Sequence, residues 1–197
     1  MTVLHLDGSP RGERSVSRKL ARELVASLPA GRVIYRDLGR QVIPLVTEEW
    51  IAAAYTPEPQ RTEDMRALLR FSDELIDELL AADVLVLSTP MYNFGVPSNV
   101  KAWIDQVIRV GRTFAMPGFR GLAAGKKAYI VLASGGQYGP GSEHLTPFLR
   151  QALAYIGITD VTFLPVATAG GEETRKGMEE QARRKFLAAE GITASAA

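Results

Sequence analysis

Short apolar runs rich in Val, Leu and Ile alternate along this chain with longer stretches whose apolar residues recur at helical spacing, and that alternation constrains the fold most. βαβ units produce such a pattern, because a strand buried on both faces reads as a continuous apolar run while its crossover helix shows an apolar stripe. Candidate strands fall at residues 2–6, 32–37, 83–88, 127–133 and 161–165. Between the first two, Val16, Leu20, Leu24, Val25 and Leu28 mark one helix face, and Pro29-Ala30-Gly31 ends it. The clearest helix carries Met65, Leu68, Leu69, Ser72, Leu75, Ile76, Leu79 and Leu80 on one face, and a shorter helix near residues 47–55 precedes it. Helices near residues 98–110, 143–156 and 172–189 complete five βα units. The expected architecture is α/β, a doubly wound five-stranded parallel sheet of order 2-1-3-4-5 with helices on both faces. Residues 1–190 read as a single domain and residues 191–197 as a flexible C-terminal tail.

In an open sheet of this order the ligand crevice lies between the first and third strands, outside their carboxyl ends. Three segments of distinctive chemistry converge there: residues 8–17 after the first strand, residues 89–95 after the third, and Ala133-Ser134-Gly135-Gly136 after the fourth. The first segment suits a phosphate. Gly8 lets the backbone turn, Pro10 fixes it, Ser9, Ser15 and Ser17 offer hydroxyls, and Arg11 offers a charged fork beside a helix N-terminus. Taken alone, Ser15 is equally a helix cap and Arg11 a solvated loop charge. The segment lacks the Gly-Lys-Thr/Ser ending of a Walker loop and the Gly-x-Gly-x-x-Gly of a dinucleotide fold.

The second segment suits a flat ring. Pro90 is expected to break the strand ladder, so that the chain turns at Thr89-Pro90. Met91 and Tyr92 can lie against a ring face, and the turn presents the N–H groups of Asn93 and Phe94 to ring acceptors. Pro97 stiffens the exit, and Ser98 or Asn99 is a candidate cap for the helix bearing Lys101, Trp103, Ile104 and Val107. A ligand with phosphate at one end and a flat ring at the other, such as flavin mononucleotide (FMN), spans the two segments.

Composition narrows the alternatives. Lys+Arg 23 against Asp+Glu 22 leaves a net charge of +1, which provides no broad basic surface for nucleic acid or a membrane. The absence of Cys excludes disulfides, thiolate metal sites, iron–sulfur clusters and Cys nucleophiles, and two His, His5 and His144, leave little for a histidine metal cluster. Asp7 interrupts the apolar run Val3-Leu4-His5-Leu6, and no segment nears the roughly 20 apolar residues of a membrane helix. The expectation is a soluble cytoplasmic protein acting on a small molecule.

The segment from Pro90 to Asp105, with Ser9-Pro10-Arg11, Gly125-Lys126-Lys127 and Tyr155-Ile156-Gly157-Ile158-Thr159-Asp160, resembles the FMN-dependent NADH-azoreductases of the flavodoxin-like superfamily. Met91-Tyr92-Asn93-Phe94 is the most specific element, and the resemblance covers nearly the whole chain. It implies a homodimeric flavoprotein in which NADH or NADPH reduces FMN and a quinone or azo compound then takes the electrons over the same ring face. It implies FMN contacts from Ser9, Arg11, Ser15, Val16, Ser17, Pro90, Met91, Tyr92, Asn93, Phe94, Ser134, Gly135 and Gly136. The chemistry is then the flavin's, and no protein nucleophile is required.

Ser134 departs from the family, which often places Arg in that turn, so stabilisation of a reduced anionic ring would fall to backbone dipoles. The short loop at residues 111–125 carries Phe114, Met116 and Phe119; the resemblance places Phe114 and Phe119, with Tyr138, at the substrate pocket. Trp50, Tyr55, Phe94 and Phe119 are candidate walls of a pocket completed by a second subunit. His5 reads as a core residue, whereas Tyr138 and His144 could also donate a proton. The rival readings are a flavodoxin-type electron carrier, typically far more acidic than this chain, an NADPH-dependent FMN or chromate reductase, and a nucleotide-free module on the same fold.

Overall fold

The computed structural model describes residues 1–136 and 142–192. Strand β1 (Thr2–Asp7) leads through a 3-10 turn, Gly12–Arg14, into α1 (Val16–Ser27). Then come β2 (Arg32–Arg36), α2 (Glu48–Tyr55), α3 (Glu63–Ala81), β3 (Val84–Pro90) and α4 (Ser98–Val107). A small antiparallel pair, β4 (Phe114–Ala115) and β5 (Arg120–Gly121), precedes β6 (Lys127–Ser134), α5 (Leu145–Tyr155), β7 (Asp160–Ala167) and α6 (Glu172–Glu190).

The five long strands pair in parallel in the order β2-β1-β3-β6-β7, which is the expected 2-1-3-4-5 sheet. Alternate residues face opposite layers, as the two-residue period of a strand requires. Val3, Val84, Val86, Tyr129, Val131, Leu164 and Val166 pack on one side with Leu20, Leu24 and Val25 of α1 and Ala182 and Phe186 of α6. Leu4, Leu6, Leu85, Leu87, Ile130 and Leu132 pack on the other with α3, α4 and α5, through Leu75, Ile76, Leu79, Trp103, Ile104, Leu149 and Leu153. Leu85 and Leu87 are 0% and 1% exposed, so truncating either to Ala would cost about 2–5 kcal/mol.

Caps mark several helix starts: Thr47 Oγ1 accepts from Trp50 N, Thr62 Oγ1 from Met65 N, and Ser15 Oγ from Arg18 N. The structure corrects some expected ends. β3 does not break before Pro90; it continues through that residue, paired with Ala133 of β6. Along a parallel strand successive residues turn their polar groups to opposite neighbours. Met91 N donates to Ala133 O at 2.8 Å on the β6 side, so Pro90 faces the β1 side, where the last register pair is Asp7 with Ser88. The missing N–H therefore interrupts nothing. α4 ends at Val107, short of residue 110, because Thr113 Oγ1 donates to Val107 O at 2.6 Å while accepting from Arg109 N. Glu143 lies outside α5 and caps it, its Oε2 accepting from Thr146 N at 2.8 Å. Of the expected tail, residues 193–197 lie outside the described residues.

Candidate active site

The turns after β1, β3 and β6 are drawn together by backbone bonds at the carboxyl end of the sheet. Gly8 N donates to Ser88 O at 2.7 Å, Met91 N to Ala133 O at 2.8 Å, and Thr168 N to Ser134 O at 2.8 Å. Gly8 is required for this approach, since a Cβ there would lie 2.6 Å from Val100 Cγ2 and 3.0 Å from Ser88 O. Ser9, Arg11, Ser15, Val16, Pro90, Met91, Tyr92, Ser134 and Gly135 line one cleft of about 70 Å³, together with Ala133 and Thr168. Sequence reasoning missed Thr168, which lies one residue beyond β7 and carries no motif.

At one end of the cleft the hydroxyl-bearing residues are packed in place. Ser9, Ser15 and Ser17 are 1%, 5% and 0% exposed. Ser15 Oγ caps α1 and lies 3.2 Å from Ser17 Oγ, which sits behind it rather than in the cleft wall. Arg11 is exposed at the mouth. The first turn of α1 carries no acidic residue, whereas α2, α3 and α6 each carry two, so the positive end of the α1 dipole is uncompensated within that turn. The nearby Glu13 is drawn off by Arg22, which donates to both its oxygens.

Beneath this loop lies a buried polar cluster that no sequence motif announced. Ser88 Oγ donates to Asp7 Oδ1 at 2.6 Å, Tyr35 Oη donates to Asp7 Oδ2 at 3.0 Å, and Arg18 reaches Asp7, Asp37 and the Ser9 carbonyl. His5 Nε2 stands 3.3 Å from Asp7 Oδ1, close enough for charge attraction but without hydrogen-bond alignment. Burial works to raise the Asp7 carboxyl, but His5, Ser88 and Arg18 outweigh it and hold Asp7 below the ordinary carboxylate range. His5 is thus part of the buried frame, as its place in the first strand suggested.

At the other end, Tyr92 and Gly95 exchange both backbone bonds, Tyr92 N to Gly95 O at 3.1 Å and Gly95 N to Tyr92 O at 3.0 Å. The two residues between them, Asn93 and Phe94, have φ of 49° and 67°, the left-handed pattern of a type I′ turn. Asn tolerates that region and Phe does not, so Phe94 is held there at a conformational cost. Its carbonyl accepts from His144 N at 2.7 Å, which ties the turn to the start of α5. Tyr92 and Phe94 remain 42% and 54% exposed, while Met91 is half-buried. Neither Ser98 nor Asn99 caps α4, whose cap position is Pro97.

The third wall is the turn after β6. Ser134 Oγ donates to Gly136 O at 2.6 Å, and a Cβ at Gly135 or Gly136 would meet nothing within 4 Å. Tyr138 lies outside the described residues. Phe114 and Phe119 do not line the cleft within one chain. α4 carries the backbone away from the strand carboxyl ends, and Phe114 is then buried against Tyr155, the last residue of α5, with ring centroids 5.0 Å apart. Phe119 stacks beside them, 5.9 Å from Tyr155, where Ala123 N donates to Ile156 O and Lys126 Nζ to Leu80 O just before β6 begins. Both rings therefore lie at the opposite end of the sheet, where β6 and β7 begin.

The family described as having a flavodoxin-like fold matches residues 1–189. The chain belongs to this family. It is 44% identical to FMN-dependent NADH:quinone oxidoreductase 2 of Trichormus variabilis, covering 94% of this chain and 92% of that one. It is 45% identical to FMN-dependent NAD(P)H:quinone oxidoreductase 1 of Pseudomonas aeruginosa, covering 94% and 96%. Among solved structures, an azoreductase from Bacillus anthracis superposes with a TM-score of 0.82 at 25% identity, covering 94% of this chain and 98% of that one.

The cleft has the donor chemistry of an anion site at one side and an open, partly aromatic face at the other. At about 70 Å³ it is far smaller than the roughly 300–1,000 Å³ of pockets that enclose drug-sized ligands. The Tyr92–Phe94 turn beside it stays exposed. Among the described residues no helix is long and apolar enough to cross a membrane.

Proposed function

We propose that this chain is an FMN-dependent oxidoreductase that passes hydride from NADH or NADPH through the flavin to quinones and azo compounds. The observation that carries the reading is the convergence of three strand-end turns on one cleft, hydroxyls and an uncompensated helix N-terminus on one side and a left-handed aromatic turn on the other. Quinone oxidoreductases at 44% and 45% identity over nearly the full chain support it.

In this reading Ser9, Ser15 and the N-terminus of α1 hold the phosphate, with Arg11 closing over it and Val16 beneath. Ser17 acts by fixing the Ser15 hydroxyl. Pro90, Met91 and Tyr92 support the ring, the Asn93–Phe94 backbone meets its polar edge, and Ser134 holds the Gly135-Gly136 turn open for close approach. Bound FMN supplies the chemistry, accepting two electrons from a reduced nicotinamide and yielding them to the acceptor. The chain supplies binding, orientation and a face that donor and acceptor occupy in turn.

The reading includes a homodimer, a cytoplasmic location beside the nicotinamide pool, and a single FMN-binding domain over residues 1–190. The shallow cleft supports the dimer, since one chain leaves the ring face uncovered. Phe119 and Met116, 56% and 52% exposed at the far end of the sheet, could then wall the ring face of a partner.

Stopped-flow spectroscopy of the FMN-reconstituted protein tests the function. NADH or NADPH should bleach the flavin absorbance, and a quinone or azo dye added next should restore it. A protein that binds no FMN, or whose flavin neither nicotinamide bleaches, overturns the reading.

A further inference from the structure

Arg18 lies on the buried side of α1 beneath the loop that follows β1, and it is 4% exposed. Its Nε donates to the Ser9 carbonyl oxygen at 2.8 Å and its Nη2 donates to the same oxygen. Nη1 donates to Asp37 Oδ2 at 2.6 Å, Nη2 also donates to Asp37 Oδ1, and Nη1 approaches Asp7 Oδ2 at 3.5 Å. The two carboxylates neutralise the guanidinium, so it offers no free charge to the cleft above it. Tyr35 Oη completes the cage by donating to Asp7 Oδ2. Partial burial and the neighbouring carboxylates push that hydroxyl up to about 12, which keeps it a donor.

The contact matters because of which carbonyl it captures. The Ser9 oxygen belongs to the peptide linking Ser9 to Pro10, and a proline nitrogen carries no hydrogen. That peptide can present only its negative end to an anion, and an outward carbonyl would repel a phosphate. Arg18 draws the oxygen inward, while Ser9 itself remains in the cleft wall. The turn after β2 is shaped to the same contact: a Cβ on Gly39 would lie 2.3 Å from the Ser9 oxygen and 2.5 Å from Arg18 Nη2.

We propose that Arg18, held by Asp37 and Asp7, is a positioning residue that turns the Ser9 carbonyl out of the cleft and so sets the preference of the site for a phosphate-bearing flavin over a dephosphorylated one. The inference rests on the flavin reading above. It differs from a purely structural role for a buried ion pair, which would weaken both flavins alike.

The test compares FMN and riboflavin affinities by fluorescence titration of the wild-type protein and two variants, with circular dichroism confirming the fold. Arg18→Lys keeps a charge beside Asp37 but cannot fork onto the carbonyl. Gly39→Ala keeps every charge and crowds the Ser9 oxygen directly. Each is expected to weaken FMN binding about tenfold or more, the scale of a lost charged hydrogen bond, with riboflavin binding changed less than about twofold. If one variant fails to fold, the other decides; if both do, Asp37→Asn, which loosens the hold on Arg18, decides. A wild-type protein that binds neither flavin overturns the flavin reading and this inference together. A wild-type protein that prefers FMN, with variants that keep the same FMN-to-riboflavin ratio, overturns this inference alone.

Discussion

The Asn99 side-chain amide donates to the Gly8 carbonyl at 2.9 Å, which pins the first turn of α4 to the loop after β1. The same nitrogen donates to Leu38 O at 2.8 Å, so one residue gathers the ends of β1 and β2 onto the helix that follows β3. Asn99→Ala leaves two inward-facing carbonyls without that donor. A loss of about 1–3 kcal/mol is expected, read as a fall of several degrees in the thermal midpoint, with weaker FMN binding. Asn99→Asp should be worse, because it points a carboxylate at two acceptors.

Arg11 separates binding from stability. It is exposed, and among the described residues its side chain makes no hydrogen bond or ion pair. Arg11→Ala should leave the melting temperature within about a degree while weakening FMN by about 1–3 kcal/mol, as expected for a charged hydrogen bond. The loss should shrink as salt is raised, because the interaction is exposed to screening. Parallel titrations of wild type and variant at two ionic strengths check this.

Phe94 shows how much of the site was legible in the sequence. The apolar alternation fixes the layers, and Met91-Tyr92-Asn93-Phe94 is legible as a turn beside the cleft, but nothing in the letters says that Phe94 occupies the left-handed region. Pro90 misled for a related reason: a ladder break depends on which neighbour the missing N–H faces, and that is known only from the register. Phe114 and Phe119 lie away from the cleft of their own chain because α4 carries the backbone back from the strand carboxyl ends, a direction that distance along the sequence does not show. The Arg18 cluster was hidden because a buried arginine on an amphipathic helix is spelled like a solvated one.

The strain at Phe94 is itself testable. Phe94→Gly removes the Cβ penalty of the left-handed conformation and should stabilise the fold by up to about 1 kcal/mol in denaturant unfolding, less whatever apolar contact is lost. In the proposed flavin reading the same change deletes an exposed ring beside the flavin face, so KM for the acceptor should rise. A stability gain together with an activity loss would mark the strain as serving the site.

Acid sensitivity should trace to Asp7. Its carboxyl is held below its ordinary 3.8, so the stability it lends is present above roughly pH 4 and fades as pH falls through its lowered folded value. Asp7→Asn should lower stability at neutral pH, since Arg18 loses a partner, and should flatten the decline below pH 4. Urea unfolding of both proteins across an acidic pH series gives the slopes.

Phe119 decides whether the ring face is shared between chains. Within one chain it stands beside Phe114 and Tyr155 at the end of the sheet opposite the cleft, yet it remains 56% exposed, so much of the ring is open to a second chain. If a second copy brings it over the flavin, Phe119→Ala should cut kcat/KM for quinones about tenfold, the effect of losing roughly 1.4 kcal/mol of an aromatic contact, with FMN affinity unchanged. Mixing sharpens the test. A dimer of Phe119→Ala with Tyr92→Ala contains one site that pairs an intact Tyr92 with an intact Phe119 from the other chain, so two impaired variants should regain activity after subunit exchange. If Phe119 acted within its own chain, neither site of the mixed dimer would be whole, and mixing would restore nothing.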